Sequence, residues 1–390
     1  MAEIDYSKKE AIIVIHESGT GPGHDLRDYL LKKNIQRLLF IAHPLLYLPE
    51  NFKNSSRFEL YRKGKLIQQG KAHHWNLPEP ILYIKDTLYT ILWSKKYISH
   101  ADIFIGVGNL NAFAGLLTSK IGISKRVIYY VIDYVPNRFS NTLLNNIYHL
   151  VEKLSAQYSS YTWNLSPRMI EGREGKWKKV FPHQLVVPHG VHTKRIKKIP
   201  FEKINKKEIL FMGVLLRKQG VQLLIEALPS IIKKIPSVTV TVIGKGPYEN
   251  ELKKVVKKLS LEKRVQFLGY VESHEEMENR MAKASIAIAL YNRKLDLNDF
   301  TYYADPGKIK NYLGAGVPVI MTDIPYVARE VSNARCGFIV NYNKHDLTDI
   351  ITDYLSNYKK MRQYRQNSLR FARKYDWDNI FTRALKESLK

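Results

Sequence analysis

One cysteine, Cys336, stands in a chain of 390 residues, so no internal disulfide can form. That suits a reducing compartment. Long apolar runs are also lacking: none approaches the ~18 residues that span a bilayer, and no spanning helix is expected. The first residues, MAEIDYSKKEAIIVIHESG, lack a basic region followed by a long apolar one, so we expect no secretory signal and a cytoplasmic protein. Acidic residues are scarce: 36 Asp and Glu stand against 62 Lys and Arg, a formal charge of +26. Such a balance points to an anionic partner: nucleic acid, an anionic lipid surface or phosphorylated substrates. Solvated lysines on helix faces explain part of it, but not the run HTKRIKKIPFEKINKK at residues 192–207. RRM, KH and helix-turn-helix signatures are missing and the lysines are spread over many helices, so nucleic acid is a poor fit. The polar loop LDLND offers Asp296 and Asp299 but no His or Cys cluster, so no metal site is expected.

What the chain does have is a hydrophobic content of 45% and an aromatic content of 11%, the makeup of a globular protein. Its length allows two or three domains. Near-continuous apolar runs (AIIVIH, RLLFIAH, DIFIGV, RVIYYVID) alternate with helical segments, and the pattern repeats from EILFMG onward. Continuous runs belong to strands covered on both faces, as in a parallel sheet. RFELYRKGKLIQQG reads as a hairpin turning at Lys63-Gly64. The expected fold is α/β, with two doubly wound Rossmann-like domains. We expect residues 1–190 to bind acceptor, 191–207 to form a basic linker, 208–372 to bind donor, and 373–390 to form a helix that crosses back to the first domain. EPILYIKDTLYTILWSKKY, at residues 79–97, sets Ile81, Leu82, Ile84, Leu88, Tyr89, Leu92 and Trp93 beside Lys85, Lys95 and Lys96. Such a helix can lie on an anionic membrane or pack on the first-domain sheet.

In open α/β sheets ligands bind at the strand carboxyl ends, so loops after strands hold the informative residues. GTGPG, at residues 19–23, lies between the first strand and helix; Gly21 and Gly23 let backbone approach an anion, and His24 follows. GVLLRKQG places Arg217 and Lys218 before a helix start, the wrong end of the dipole for cations unless an anion lies between. VIGKGP supplies Gly244. In TYYADPGKIKNYLGAGVPVI, Asp305 is a suitable N-cap and Pro306 fits the first helical position. Lys308, Asn311 and Tyr312 then share one face, suited to a phosphate or a hydroxyl-rich ligand. Asp133 follows an apolar strand, with Arg138 five residues on.

Together these residues resemble the GT-B glycosyltransferases, in particular glycosyltransferase family 4, over essentially the whole chain and most strongly over residues 188–340. VVPHGVH is similar to the family's junction motif, and ILFMGVLLRKQGVQLLIEAL to its diphosphate loop. VTVTVIGKGP and VQFLGYVESHEEM are similar to the next two strands, the latter bringing Tyr270 near the nucleobase. DPGKIKNYLGAGVPVI is similar to the donor-site helix, and YDWDNIFTRALKESL to the C-terminal helix. Val214, Gln219, Tyr303, Asn311 and Ile132 depart from the pattern, at positions where the family carries Arg, Lys, Glu, Glu and His. The resemblance implies two domains facing a central cleft and a hexosyltransferase-type enzyme of cell-surface glycan, polysaccharide or glycolipid synthesis. It would move a sugar from a nucleotide-diphosphate sugar to an acceptor hydroxyl. Donor binding would fall to Gly21, Gly23, Arg217, Lys218, Gly244, Tyr270, Asp305, Lys308 and Asn311, and acceptor binding to His24 and Arg138. Asp133 would be the general base in an inverting reaction, or a sugar-binding group in a retaining one. No cofactor or metal is implied. The acceptor would be a glycan or lipid-linked, met in the cytoplasm or at the inner face of the membrane. A sugar-nucleotide 2-epimerase of the same architecture and a basic nucleic-acid-binding protein are the alternative readings.

Overall fold

The computed structural model describes residues 4–17, 19–45, 55–295 and 300–390. Asp296 and Asp299 lie outside the described residues. The chain divides into two units, one of Met1–Pro188 with Trp377–Lys390, the other of His189–Asp376.

The first unit is built on strands β1 (Glu10–Glu17), β2 (Arg37–Pro44), β3 (Arg57–Arg62), β4 (Lys65–Lys71), β5 (Ala101–Val107), β6 (Ser124–Val131), β7 (Tyr161–Asn164) and β8 (Gln184–Val186). Their order in the sheet is β4-β3-β2-β1-β5-β6-β7-β8. Pairing is parallel from β2 through β8 and antiparallel where β2, β3 and β4 meet. The hairpin between β3 and β4 turns at Lys63 (φ 47°) and Gly64 (φ 75°). Two successive positive φ values match the right-handed twist of the strands. Residues 11–14 of β1 and 38–42 of β2 are fully buried, as their apolar runs require.

The C-terminal helix Trp377–Ser388 belongs to this unit. Tyr29 Oη lies 2.9 Å from Thr382 Oγ1, Trp163 Nε1 donates to Ser388 Oγ at 2.9 Å, and Trp377 stacks on Phe381.

The second unit has six parallel strands: β9 (Asn205–Met212), β10 (Thr239–Ile243), β11 (Val265–Gly269), β12 (Ala284–Ala289), β13 (Val319–Met321) and β14 (Gly337–Ile339), ordered β11-β10-β9-β12-β13-β14. Alternate residues of β9 feed opposite cores: Ile209 and Phe211 enter one, Leu210 and Met212 the other. The basic stretch expected as a linker is instead folded into this unit. Val191 and Ile196 are core residues, and the Arg195 guanidinium grips the Glu278 carboxylate.

A buried ion pair ties the far edge of the first sheet to its helices. Arg173, wholly buried on Pro167–Trp177, pairs through Nε with Glu152 of Thr142–Tyr158. Its Nη1 donates to Asn164 Oδ1 at 3.0 Å and Gln184 Oε1 at 2.9 Å, reaching β7 and β8. Removing one partner strands a buried charge, at a cost of about 3–5 kcal/mol. Glu152→Ala is therefore expected to lower stability by that order, seen as a drop in the urea midpoint of the first unit's transition.

Candidate functional site

The second unit gathers glycine loops at the carboxyl ends of β9, β10 and β11. Gly213 (φ 143°) and Gly244 (φ 124°) adopt conformations closed to other residues. A Cβ on Gly244 would lie 2.1 Å from the Gly213 carbonyl oxygen. The loops are stitched by backbone: Gly213 N donates to Ile243 O at 3.0 Å, Leu215 N to Lys245 O at 3.0 Å, and Gly244 N to Gly269 O at 2.7 Å. Tyr270, just beyond, is exposed.

Past Gly213 the chain makes a 3₁₀ turn, Arg217–Gln219, then Gly220 at φ 76°. Gly220 is demanded by contact, since its Cβ would fall 1.9 Å from Leu290 O. Arg217 is exposed, and Lys218 lies with its Nζ 5.2 Å from the Phe300 ring.

The helix Gly307–Gly314 starts at the same strand ends and brings Lys308 to that turn: Lys308 Nζ donates to Gln219 Oε1 at 2.6 Å. The ammonium lies 4.5 Å from the Phe211 ring centre and 4.8 Å from that of Tyr291. Lys308 as a whole is half-buried, but its charged end is walled in by these rings. Desolvation there pushes its pKa down to about 7. Two residues the sequence reading did not single out as partners, Gln219 and Tyr291, complete this corner. Gln219 had been noted only as a departure where the family carries lysine, and Lys308 sets an ammonium beside it.

Other expectations change on this helix. Pro306, not Asp305, occupies the N-cap, and Gly307 the first helical position. Asp305 is turned inward: one oxygen pairs with Lys310, the other accepts the His189 amide at 2.8 Å. Burial without a partner would be costly, and the carboxylate finds a lysine one turn along. The His189 ring lies over Gly307, whose Cβ would meet its Cε1 at 2.4 Å. Tyr312 also points inward. Its hydroxyl accepts Met212 N at 2.7 Å and donates to Met212 O at 3.2 Å, so it braces the end of β9 and is not open to a ligand. Asn311 is half-buried. Among the described residues no group of three or more His, Cys, Asp or Glu side chains could hold a metal ion.

The remaining expected residues lie in the first unit. Gly21 (φ 137°) caps the helix Pro22–Lys32. Gly23 is buried, and its Cβ would meet Ile15 Cγ2 at 2.5 Å, so packing on β1, not approach to a ligand, demands glycine there. His24 rests against Phe40, and burial, then Arg27 and Arg57, push its pKa down. Asp133 follows β6 and keeps access to solvent. The protein mass around its carboxyl still pushes the pKa up to about 6, against the opposing pull of Arg138. Arg138 is exposed, with its backbone held by Asn145 Oδ1 at 2.9 Å.

Comparison with known proteins bears on this geometry. Residues 192–371 match the family model described as glycosyl transferases group 1. Alpha-monoglucosyldiacylglycerol synthase of Streptococcus pneumoniae is 24% identical over 192 residues, which is 45% of this chain and 41% of that protein. Chitobiosyldiphosphodolichol beta-mannosyltransferase of Candida albicans is 28% identical over 140 residues, 34% of this chain and 29% of that one. The chain thus aligns with less than half the length of these curated relatives. The crystal structure of Anabaena HepE in complex with UDP-glucose superposes with a TM-score of 0.70 at 16% identity, covering 98% of this chain and 99% of that one. The match to glycosyl transferases group 1 lies within the second unit, and the superposition runs over the whole chain: the chain has the GT-B fold.

Proposed function

We propose that the chain transfers a sugar from a nucleotide-diphosphate sugar to an acceptor hydroxyl, with the second unit holding the donor. The observation that carries this is the Lys308 ammonium, stripped of water and set against the Arg217–Gln219 turn at the strand carboxyl ends. A desolvated cation beside glycine loops is suited to a diphosphate, whose charge grows as the glycosidic bond breaks. Lys308, Arg217, Lys218 and the helix amides would offset that charge with no metal ion or other cofactor. Gly244 and Tyr270 would line the nucleoside side. In the first unit Asp133 would take the acceptor proton, and Arg138 and His24 would contact the acceptor. Two of the relatives are a monoglucosyldiacylglycerol synthase and a chitobiosyldiphosphodolichol mannosyltransferase, which supports a glycan or lipid-linked acceptor. Among the described residues no helix is long and apolar enough to cross a membrane. We place the chain in the cytoplasm, peripheral on the membrane's inner face. Buried Cys336, its thiol pKa pushed up to about 12, is the inert residue a reducing compartment permits.

Three measurements test this reading. Lys308→Ala should lower kcat by ~10²–10³, the usual loss for one preorganised group on developing charge. Arg217→Ala should lower it less, and the double variant less than additively, because both act on the same oxygens. Turnover in excess EDTA should match turnover without it. Nucleoside diphosphate binding unchanged in every variant would refute the site, and donor conversion without any acceptor would favour the epimerase.

Lys308 also sets a pH dependence. Its depressed pKa means that the free ammonium loses its proton above about pH 7. A bound diphosphate restores the proton, so affinity should be flat below pH 7 and weaken above it. Calorimetry at pH 8 in buffers of different ionisation heat should register proton uptake, and Lys308→Met should abolish it.

For Asp133 the sign is opposite. A base with a pKa raised to about 6 is competent above that value, so kcat/KM should fall as pH drops through 6. Asp133→Asn should remove this limb and ~10²–10⁴ of the rate.

A further inference from the structure

Two helices of the first unit are built inside out. Glu79–Tyr97 buries Leu82, Asp86, Thr90 and Ser94, a row at every fourth position that is mostly polar. Asp86 sits between His16 and His43, and Thr90 Oγ1 lies 2.8 Å from His43 Nε2. Its apolar stripe of Ile81, Ile84, Leu88 and Leu92 faces solvent, with Ile84 62% and Leu92 60% exposed. Thr142–Tyr158 repeats the inversion. It buries His149, Glu152, Ser155 and Ala156, and exposes Leu143, Leu144, Ile147 and Leu150, Leu143 at 68%. A surface helix of a water-soluble protein shows the reverse pattern. The helix Asn109–Lys120 packs against both, so the two stripes belong to one layer on the same side of the sheet. Contiguous exposed apolar surface of this kind marks an interaction site.

We propose that this layer docks on the surface of an anionic lipid bilayer, with both stripes set among the acyl chains and lysines on the headgroups. The charge pattern selects this occupant. Residues 63–100 expose Lys63, Lys65, Lys71, Lys95 and Lys96, while their two acids are withdrawn: Glu79 accepts from Tyr83 Oη, and Asp86 is buried. Residues 137–160 contain one acid, Glu152, sealed against Arg173. Apolar stripes on segments that expose cations and no carboxylate of their own match anionic headgroups over an acyl interior. A second copy of the chain would bring cations against cations, in a molecule of formal charge +26. Lys85, expected to meet lipid phosphate, does not take part: its Nζ turns inward, 2.8 Å from Asp86 Oδ1. Trp93 likewise packs on Phe58. The stripes are too short and too flanked by polar residues to span, so the attachment lies in the interface plane.

This inference rests on the proposed transferase only for its purpose, not for its physics, and the test separates the two. Flotation of the full chain with phosphatidylcholine vesicles is compared with vesicles containing phosphatidylglycerol, while binding of nucleoside diphosphate is measured in parallel. The expected result is at least ~10-fold greater partition onto the anionic vesicles at low salt, decreasing as salt screens the lysines. Leu88→Glu with Leu92→Glu, and Ile147→Glu with Leu150→Glu, change exposed positions and should leave the fold and nucleotide binding intact. Each pair should cut vesicle binding several-fold, and the four together should abolish it. Equal binding by the fourfold variant overturns the proposal, as does a parent chain that ignores both vesicle types. A concentration-dependent dimer broken by these same changes overturns it in favour of a second copy. Loss of nucleotide binding in the parent would sink the transferase reading instead.

Discussion

The second unit depends on one contact of backbone against backbone. The carbonyl of Gly213 occupies the space where any side chain on Gly244 would stand. Because Gly244 has no Cβ, the loops after β9 and β10 close to hydrogen-bonding distance, and the β11 end joins them through Gly269. This approach fixes the start of the 213–220 loop. From there the 3₁₀ turn has only one place to go, and Gly220 seats it under Leu290. Lys308 then finds Gln219 within reach. A methyl group on Gly244 would push apart the loops that frame the site, not fill a void. The glycines here serve close approach as much as φ, and the two demands fall on the same residues.

Much of this architecture was legible in the chain because it is local. Continuous apolar runs named the buried strands, Lys63-Gly64 named its turn, and the glycine loops after strands do gather at the strand carboxyl ends. The errors share one cause, which is pairing at long range. Asp305 has the residue type and spacing of a cap, but its partners are Lys310 and the amide of His189, 116 positions away. Lys308 does reach the turn that carries Arg217 and Lys218, but the side chain it bonds there is Gln219, 89 positions back, which its own neighbours could not name. Gly23 looked like a ligand glycine because the strand it packs against cannot be seen from its neighbours. The run at 191–207 looked like a linker because charge dominates its composition, while two apolar residues within it, Val191 at its edge and Ile196, are core residues of the second unit.

The helices of the first unit carry the same lesson to the surface. Glu79–Tyr97 has apolar residues on more than one face, so composition alone cannot say which face turns inward. The buried polar groups decide. Asp86 holds its pKa far below the usual carboxylate range through His16 and His43, despite the cost of burial. Once that cluster and the Glu152–Arg173 pair claim the interior, the leucines and isoleucines of both helices are left outside. A buried ion network is weak evidence for stability and better evidence for a constraint on what else can be buried. Here it forces apolar surface outward, and the exposed cations set what that surface can meet.

Within the donor-side corner the positive groups are not interchangeable. Arg217 stands in solvent, where salt screens its charge. Lys308 sits between two aromatic rings that favour its charge and a desolvated environment that opposes it, and desolvation wins. Its charge is therefore conditional on an anion being present. An ammonium poised near neutrality adds little repulsion to an empty site in a strongly basic protein. In the proposed reaction it would supply a full charge once phosphate oxygens replaced the missing water. Gln219, standing where a second lysine would raise that repulsion further, lets the single ammonium approach and gives it a neutral acceptor in the meantime.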